Sequence, residues 1–245
     1  MSEHGRRRRH RTVDRVAWIL EAAAREPGGV TVAELARTVG APASSVQDLV
    51  GGLAATGFLL ERHGRFRLGP APHVLNLIAG RVVPQISQAE LNELSRVAGT
   101  PVLLTVRVGL DAVHLARGGE DEIPRLLPLA DEHMARPLLR TAAGRLLLAF
   151  TDEAERHGLL DELARHDPEA VAEFRRALPA IRASRVSRSE GLADPEVSAL
   201  AIPVTDGPVV TGALVLTHRR RGRSERLRLD RAAARLLAHI QERRM

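Results

Sequence analysis

The chain has 245 residues, 44% of them hydrophobic and 27% charged. Those are ordinary globular values, which exclude a disordered or collagen-like chain and leave one large domain or two small ones. All 36 Lys/Arg positions are Arg, set against 30 acids for a net charge of +6, and Cys is absent. Disulfides, thiolate metal sites and cysteine nucleophiles are thereby excluded. An all-Arg complement beside heavy Ala use is the mark of a GC-rich coding bias, so where the arginines sit says more than how many there are. No apolar run reaches the roughly 18 residues of a membrane span. The basic N-terminal stretch is broken by Asp14 and Arg15 and lacks a small-residue cleavage site, which points to a cytoplasmic protein without membrane partners.

Residues 1–11 form a basic arm. Through Val16 there are six Arg (Arg6, Arg7, Arg8, Arg9, Arg11, Arg15) and two acids, Glu3 and Asp14. Such an arm is either a solvated tail or a DNA-contacting extension of the domain behind it. Over residues 13–24 apolar side chains recur at helical spacing and stop before Pro27, Gly28 and Gly29, predicting a first helix. Thr31 and Glu34 form a Thr-x-x-Glu capping box opening a second helix to about Val39. Gly40, Ala41 and Pro42 make the turn, and Ser44 or Ser45 opens a third helix with Val46, Leu49, Val50 and Leu53 on one face. Two short helices joined in this way predict a helix-turn-helix. Residues 58–61 and 65–68 flank His63-Gly64 and predict a hairpin, the wing, with Phe58, Leu60, Phe66 and Leu68 on one face. A linker helix is expected over 71–81, ending near Pro84, which sets domains at 12–70 and 85–245 with the linker at 71–84.

Past the linker the pattern changes. A helix over 87–97 precedes strands at 102–108 and 112–116, helices at 141–150 and 167–184, strands at 200–204 and 209–217 around an Asp206-Gly207-Pro208 turn, and a closing helix from Ser224 to about Arg243. Strands mixed with helices after a helical start predict a second domain of α+β class.

This order of parts, with TVAELARTVGAP at 31–42, SV at 45–46, GFL at 57–59, FRLGP at 66–70, PLLRTAAGRLLLA at 137–149, SEG at 189–191 and ALAIPV at 199–204, resembles the IclR family of bacterial transcription regulators. The resemblance implies a multi-domain chain: an all-α, winged helix-turn-helix DNA-binding domain followed by an α+β, GAF-like or profilin-like effector-binding domain. It also implies a homodimer or tetramer, nucleoid-associated, acting as a repressor or an activator on an operator in double-stranded DNA.

Recognition helices present their N-terminal residues to base edges. The candidates here are Ala43, Ser44, Ser45, Gln47 and Asp48, joined by Thr31, by Arg6, Arg7, Arg8 and Arg9 of the arm, and by the wing cations Arg62, Arg65 and Arg67. Asp48 stands where the family typically places a basic residue; it would repel phosphate or accept from a cytosine amino group. Gly51 and Gly52 each weaken a helix by about 1 kcal/mol relative to Ala. A regulator acting through protein contacts, its DNA reading degenerate, is the alternative these departures favour.

In the second domain a helix start near Thr141 offers free amides and a dipole to an anion. Carried over position by position, the resemblance implies an effector pocket including Thr141, Ala142, Ala143, Ser189, Val197, Ala199, Val215 and Thr217, with Ala199 and Val215 in place of polar or sulfur groups and therefore a more apolar effector than the smallest keto acids. His114, His157, His166 and His218 lack metal-ligand spacing. Asp111, His114 and Ser189 have no nucleophile elbow to make a triad of them, so the chain is read as neither an enzyme nor a holder of metal or cofactor. Arg219, Arg220, Arg221 and Arg223 read as a solvated turn.

Overall fold

The structure, a computed structural model, describes residues 10–79, 84, 86–119, 133–220 and 223–242. It forms two compact units that divide between Gly80 and Arg81. The expected arm residues Arg6, Arg7, Arg8 and Arg9, the end of the linker helix and Arg221 lie outside the described residues.

In the first unit α1 (Arg11–Arg25), α2 (Val32–Val39) and α3 (Ala43–Ala55) pack around Ile19, Leu35, Val39, Val46 and Val50. The capping box forms as the sequence requires: the Thr31 hydroxyl accepts from the Glu34 amide, and the Glu34 carboxylate accepts from the Thr31 amide at 2.8 Å. Those bonds hold the Glu34 carboxyl below the usual carboxylate range. α2 ends on Gly40 in the left-handed region, φ +63°, which a residue with a Cβ adopts only at a cost. The wing is β1 (Leu59–Arg62) and β2 (Arg65–Leu68), joined by His63 and Gly64, both at positive φ as a two-residue hairpin turn demands. The turn sets the register Glu61↔Phe66 and Leu59↔Leu68. Leu59 therefore shares the inner face with Phe66 and is fully buried, whereas Leu60, expected inside, is 54% exposed. α4 (Ala71–Ile78) follows, with Val74, Leu75, Leu77 and Ile78 all exposed.

The second unit is built on a sheet of six strands ordered β5-β4-β3-β8-β7-β6, every neighbouring pair antiparallel. The strands are β3 (Val102–Val108), β4 (Asp111–Gly118), β5 (Ala135–Pro137), β6 (Ser187–Glu190), β7 (Val197–Asp206) and β8 (Val209–Arg219). Alternation along the strands gives two apolar faces. Leu103, Ala112, Ala201, Ala213 and Val215 meet α6 (Ala142–Phe150), α7 (Glu153–Leu163) and α8 (Pro168–Ser184). Val102, Leu104, Leu200, Ile202, Leu214 and Leu216 meet α5 (Gln88–Ala98) and α9 (Arg223–Glu242). Strand β6 reads Ser-Arg-Ser-Glu, β5 is three residues ending in Pro137, and neither was expected from the pattern; nor was α7, whose inward side carries the buried Arg156.

Flat, this sheet would set β5 about 24 Å from β6, five spacings of roughly 4.8 Å. Yet Arg136 of β5 donates to the carbonyl of Ala193 in the β6–β7 connection at 2.9 Å, and Ser189 of β6 donates to the carbonyl of Arg140. The sheet is thus curled around α6, its two edges drawn together on the α6 side.

Candidate functional site

Two sets of residues were singled out by the sequence, one in each unit. On α3, Ala43, Ser44, Gln47 and Asp48 are exposed and Ser45 is half-buried. Gly51 and Gly52 continue the exposed face with open space where a Cβ would point. No basic residue lies on α3. On the wing, the hairpin register puts Arg62, Arg65, Arg67 and Leu60 on the solvent face, with Arg62 directly opposite Arg65. Like charges facing each other across a ladder destabilise it, and an anion between them removes that repulsion. Arg65 is partly tied inward, donating to the carbonyl of Gly29 at 2.7 Å and lying 3.9 Å from Glu34. Thr31 spends its hydroxyl on the cap of α2.

In the second unit a cavity of about 60 Å³ opens at the N-terminus of α6 on the concave side of the sheet. One water needs roughly 10–15 Å³ by this measure. Its wall contains all eight positions named from the sequence: Thr141, Ala142, Ala143, Ser189, Val197, Ala199, Val215 and Thr217. Each arrives from its local structure. Thr141 is the N-cap of α6, its hydroxyl accepting from the Gly144 amide at 3.0 Å. That leaves the buried Ala142 and Ala143 amides, first in the helix, with no acceptor among the described residues. Ser189 comes from the edge strand β6. Ala199 lies between Ser189 and Thr217 in the β6-β7-β8 register. Thr217 is only 5% exposed and its hydroxyl has no partner among the described residues; a buried hydroxyl left in this state costs about 1–3 kcal/mol.

Sequence reasoning missed Arg136, His114, Leu103, Ala193 and Asp194, which complete the wall. Arg136 is the cation of the cavity; beside the exposed arginines elsewhere nothing in the sequence marked it. His114 is 6% exposed. Burial, followed by the charge of Arg136, pushes its pKa down to about 4, so the imidazole is neutral near pH 7. Its Nδ1 lies 2.7 Å from the hydroxyl of Thr105, the residue opposite it on β3. Thr105 is fully buried and has no other side-chain hydrogen-bond partner among the described residues. Its O–H must then donate to Nδ1, since the reverse assignment strands a buried hydroxyl proton at about 1–3 kcal/mol. That places the ring hydrogen on Nε2. Asp111 does not orient this ring, so the Asp111, His114, Ser189 constellation lacks the carboxylate-to-base link of a triad. No cluster of three or more His, Asp or Glu able to hold a metal occurs among the described residues, and no described helix is long and apolar enough to cross a membrane.

The helix turn Leu138–Arg140 that leads into α6 is anchored from outside. Arg140 donates two hydrogen bonds to Asp167, the N-cap of α8, at 2.7 and 2.8 Å. That fork, followed by the Ala170 amide, keeps the Asp167 carboxyl below its ordinary range.

A winged helix followed by a cavity-bearing α+β unit defines a two-unit DNA-binding architecture. Residues 12–63 match the IclR helix-turn-helix domain, and residues 77–242 match the bacterial transcriptional regulator IclR C-terminal domain. The chain belongs to the IclR family of bacterial transcriptional regulators. It is similar to the HTH-type transcriptional regulator TtgV of Pseudomonas putida, 34% identical over 165 residues that span 62% of this chain and 59% of that relative. Among solved structures it resembles an IclR homologue from Microbacterium hydrocarbonoxydans complexed with 4-hydroxybenzoate, TM-score 0.63 at 19% identity, over 92% of this chain and 97% of the other. It also resembles an IclR transcriptional regulator from Alicyclobacillus acidocaldarius, TM-score 0.63 at 22% identity, over 93% and 94%.

Proposed function

We propose that this chain is a ligand-responsive regulator that binds an operator in double-stranded DNA through α3 and the wing and senses a compact organic acid, aliphatic or with a single aromatic ring, in the cavity under α6. The observation that carries the reading is the convergence of Arg136, two unpaired helix amides and the orphan hydroxyl of Thr217 on a cavity whose wall also holds the apolar Leu103, Val197, Ala199 and Val215, beside the neutral His114 and the carboxylate of Asp194. A cation and helix N-terminal donors suit a carboxylate, and an apolar wall suits a hydrocarbon body. The Microbacterium homologue, bound to an aromatic acid, supports the same ligand class. Thr141 and Ser189 hold the cavity's shape as much as they offer oxygen, since both already donate to carbonyls of the turn before α6.

For DNA, the paired wing arginines supply phosphate contacts, and Ser44, Ser45, Gln47 and Asp48 supply the base-reading edge. The exposed apolar side chains of α4 suit pairing with a second copy of the chain, giving a homodimer on a two-fold operator. The effector-free chain should footprint DNA upstream of its own gene, with affinity falling steeply as salt rises, and a titrated acid should change that affinity. Deleting Met1–Arg11 should flatten the salt slope; an unchanged slope makes the arm a solvated tail. A second reading, a regulator working by protein contact, is favoured by one observation, the lack of any cation on α3 beside the exposed Asp48. Equal affinity for operator and random DNA would decide for it.

A further inference from the structure

The reverse face of β8 borders a second cavity. Alternation along the strand turns Thr217 toward α6 and His218 the opposite way, toward α5 and α9. There a cavity of about 310 Å³ opens between the C-terminal end of α5, the end of β8 and α9, a volume in the range of sites that take a whole small molecule. Its charged side chains are all arginines. Arg228, Arg231 and Arg235 line it from one face of α9, and no Asp or Glu among the described residues shares the wall. Arg235 spends Nε and Nη2 on the carbonyls of Val97 and Ala98, which caps the negative end of α5 and offsets its repulsion of an anion. Arg228 and Arg231 have no hydrogen-bond or ion-pair partner among the described residues. The positions three and four from Arg231 are Leu227, Arg228, Ala234 and Arg235, so its own helix supplies no carboxylate beside it. Asp230, next to it in sequence, is turned to Arg188. A further sign is independent of the arginines: Nδ1 of His218 is buried with no hydrogen-bond partner among the described residues, a costly state for a polar atom.

We propose that this cavity is a second ligand site, selective for a small phosphate monoester, in which Arg228 and Arg231 hold the phosphate group and His218 donates to it from Nδ1. The site is independent of the acid-binding reading of the cavity under α6. A phosphate monoester near pH 7 carries about −1.5 to −2 charges and three acceptor oxygens. That matches two uncompensated guanidiniums and a ring nitrogen, whereas a carboxylate brings one charge and two oxygens. The volume exceeds what a phosphate group fills, and the esterified body rests against the buried Leu229 and Ala232.

The test is titration calorimetry of the full chain at pH 7.5 with glycerol 3-phosphate, and with dimethyl phosphate as the singly charged diester. The monoester should bind at least fivefold tighter than the diester. Arg228→Gln and Arg231→Gln should each weaken it at least fivefold, and His218→Leu about three- to tenfold. Arg175→Gln with Arg176→Gln, two exposed positions on α8 outside this wall, removes as much charge as Arg228→Gln with Arg231→Gln and should leave binding within twofold. Equal weakening by the two double variants makes the effect one of net charge and overturns the proposal. So does failure of glycerol 3-phosphate to bind the parent chain, or unchanged binding to Arg228→Gln with Arg231→Gln, its fold confirmed by circular dichroism. Equal affinity for monoester and diester overturns the assigned class. In gel shifts with random double-stranded DNA the two double variants should behave alike; a selective loss with Arg228→Gln and Arg231→Gln assigns those arginines to DNA phosphates and overturns the small-ligand site.

Discussion

Replacing Gly144 with Ala separates helix propensity from packing at the mouth of the cavity. Gly144 lies in the first turn of α6, and Ala there should favour the helix by about 1 kcal/mol. A Cβ at this position, however, would stand 2.0 Å from the carbonyl oxygen of Leu138 and 2.7 Å from its carbon. Ordinary contact begins near 3.4 Å, so the Leu138–Arg140 turn must retreat by more than an ångström. It cannot do so freely: Leu138 and Leu139 are buried, and Arg140 is forked to Asp167. Overpacking of this kind costs about 1–3 kcal/mol, and against rigid backbone we expect the upper end, for a net loss of about 2 kcal/mol. In a unit of this size that lowers the melting temperature by about 4–8 °C. The displaced Ala142 and Ala143 amides should weaken acid binding at least tenfold by calorimetry, an amount equivalent to about 1.4 kcal/mol. Gly158→Ala on α7, where a Cβ meets nothing within 4 Å, is the control and should stabilise by up to about 1 kcal/mol. If Gly144→Ala stabilises as Gly158→Ala does in urea denaturation, the close approach of α6 to the turn is refuted.

The buried His114 makes stability depend on acid. Its native pKa near 4 lies below the unfolded value of about 6.5, so the unfolded chain takes up the proton first; stability is full above pH 6.5 and falls by up to roughly 3 kcal/mol as the pH drops to 4. Urea melts at pH 7 and 4.5 should show that loss in the parent chain and a smaller one in His114→Gln. Asp167→Asn keeps a helix-capping side chain but gives up the charged fork to Arg140, costing about 1 kcal/mol after allowance for its partial exposure. Because the carboxyl is lowered in the native state, that difference should be present at pH 7 and disappear as the pH falls through the native value. Gly51→Ala with Gly52→Ala should raise the stability of the first unit by about 1–2 kcal/mol in thermal melts, both sites being open and exposed. Asp48→Arg should raise affinity for all DNA if Asp48 only repels phosphate, and should lower operator affinity selectively if it reads a cytosine; identical gel-shift affinities for parent and variant would remove it from the interface.

What could be read in advance was what local chemistry dictates. The Thr31–Glu34 box needs two residues at fixed spacing, and the His63-Gly64 turn needs two residues tolerant of positive φ. The buried strands β3 and β8 announce themselves through Val and Leu. Leu60 shows where pattern alone slips, because a single position in the hairpin register decides which of two adjacent leucines is inside. Strand β6 has no apolar side chain; it is a strand because its backbone completes the edge beside β7, while Arg188 pairs with Asp230. Helix α7 hides its periodicity by burying Arg156, 4% exposed, whose guanidinium donates to the carbonyl of Thr151. In the cavity, the eight sequence positions came from four segments, at 141–143, 189, 197–199 and 215–217, whereas Arg136 and His114 enter through β5 and β4, and only the curl of the sheet brings them opposite the others.

That curl has a mechanical meaning. A sheet bent until its two edge strands touch the same small volume behaves like a leaf spring, and whatever occupies that volume is a tie rod across its ends. The outer leaf, α5 and α9, packs on the reverse of the same strands through Leu200, Leu214 and Leu216. Bending the sheet a little more or a little less therefore changes the seating of those helices, without any relay of side chains through the middle.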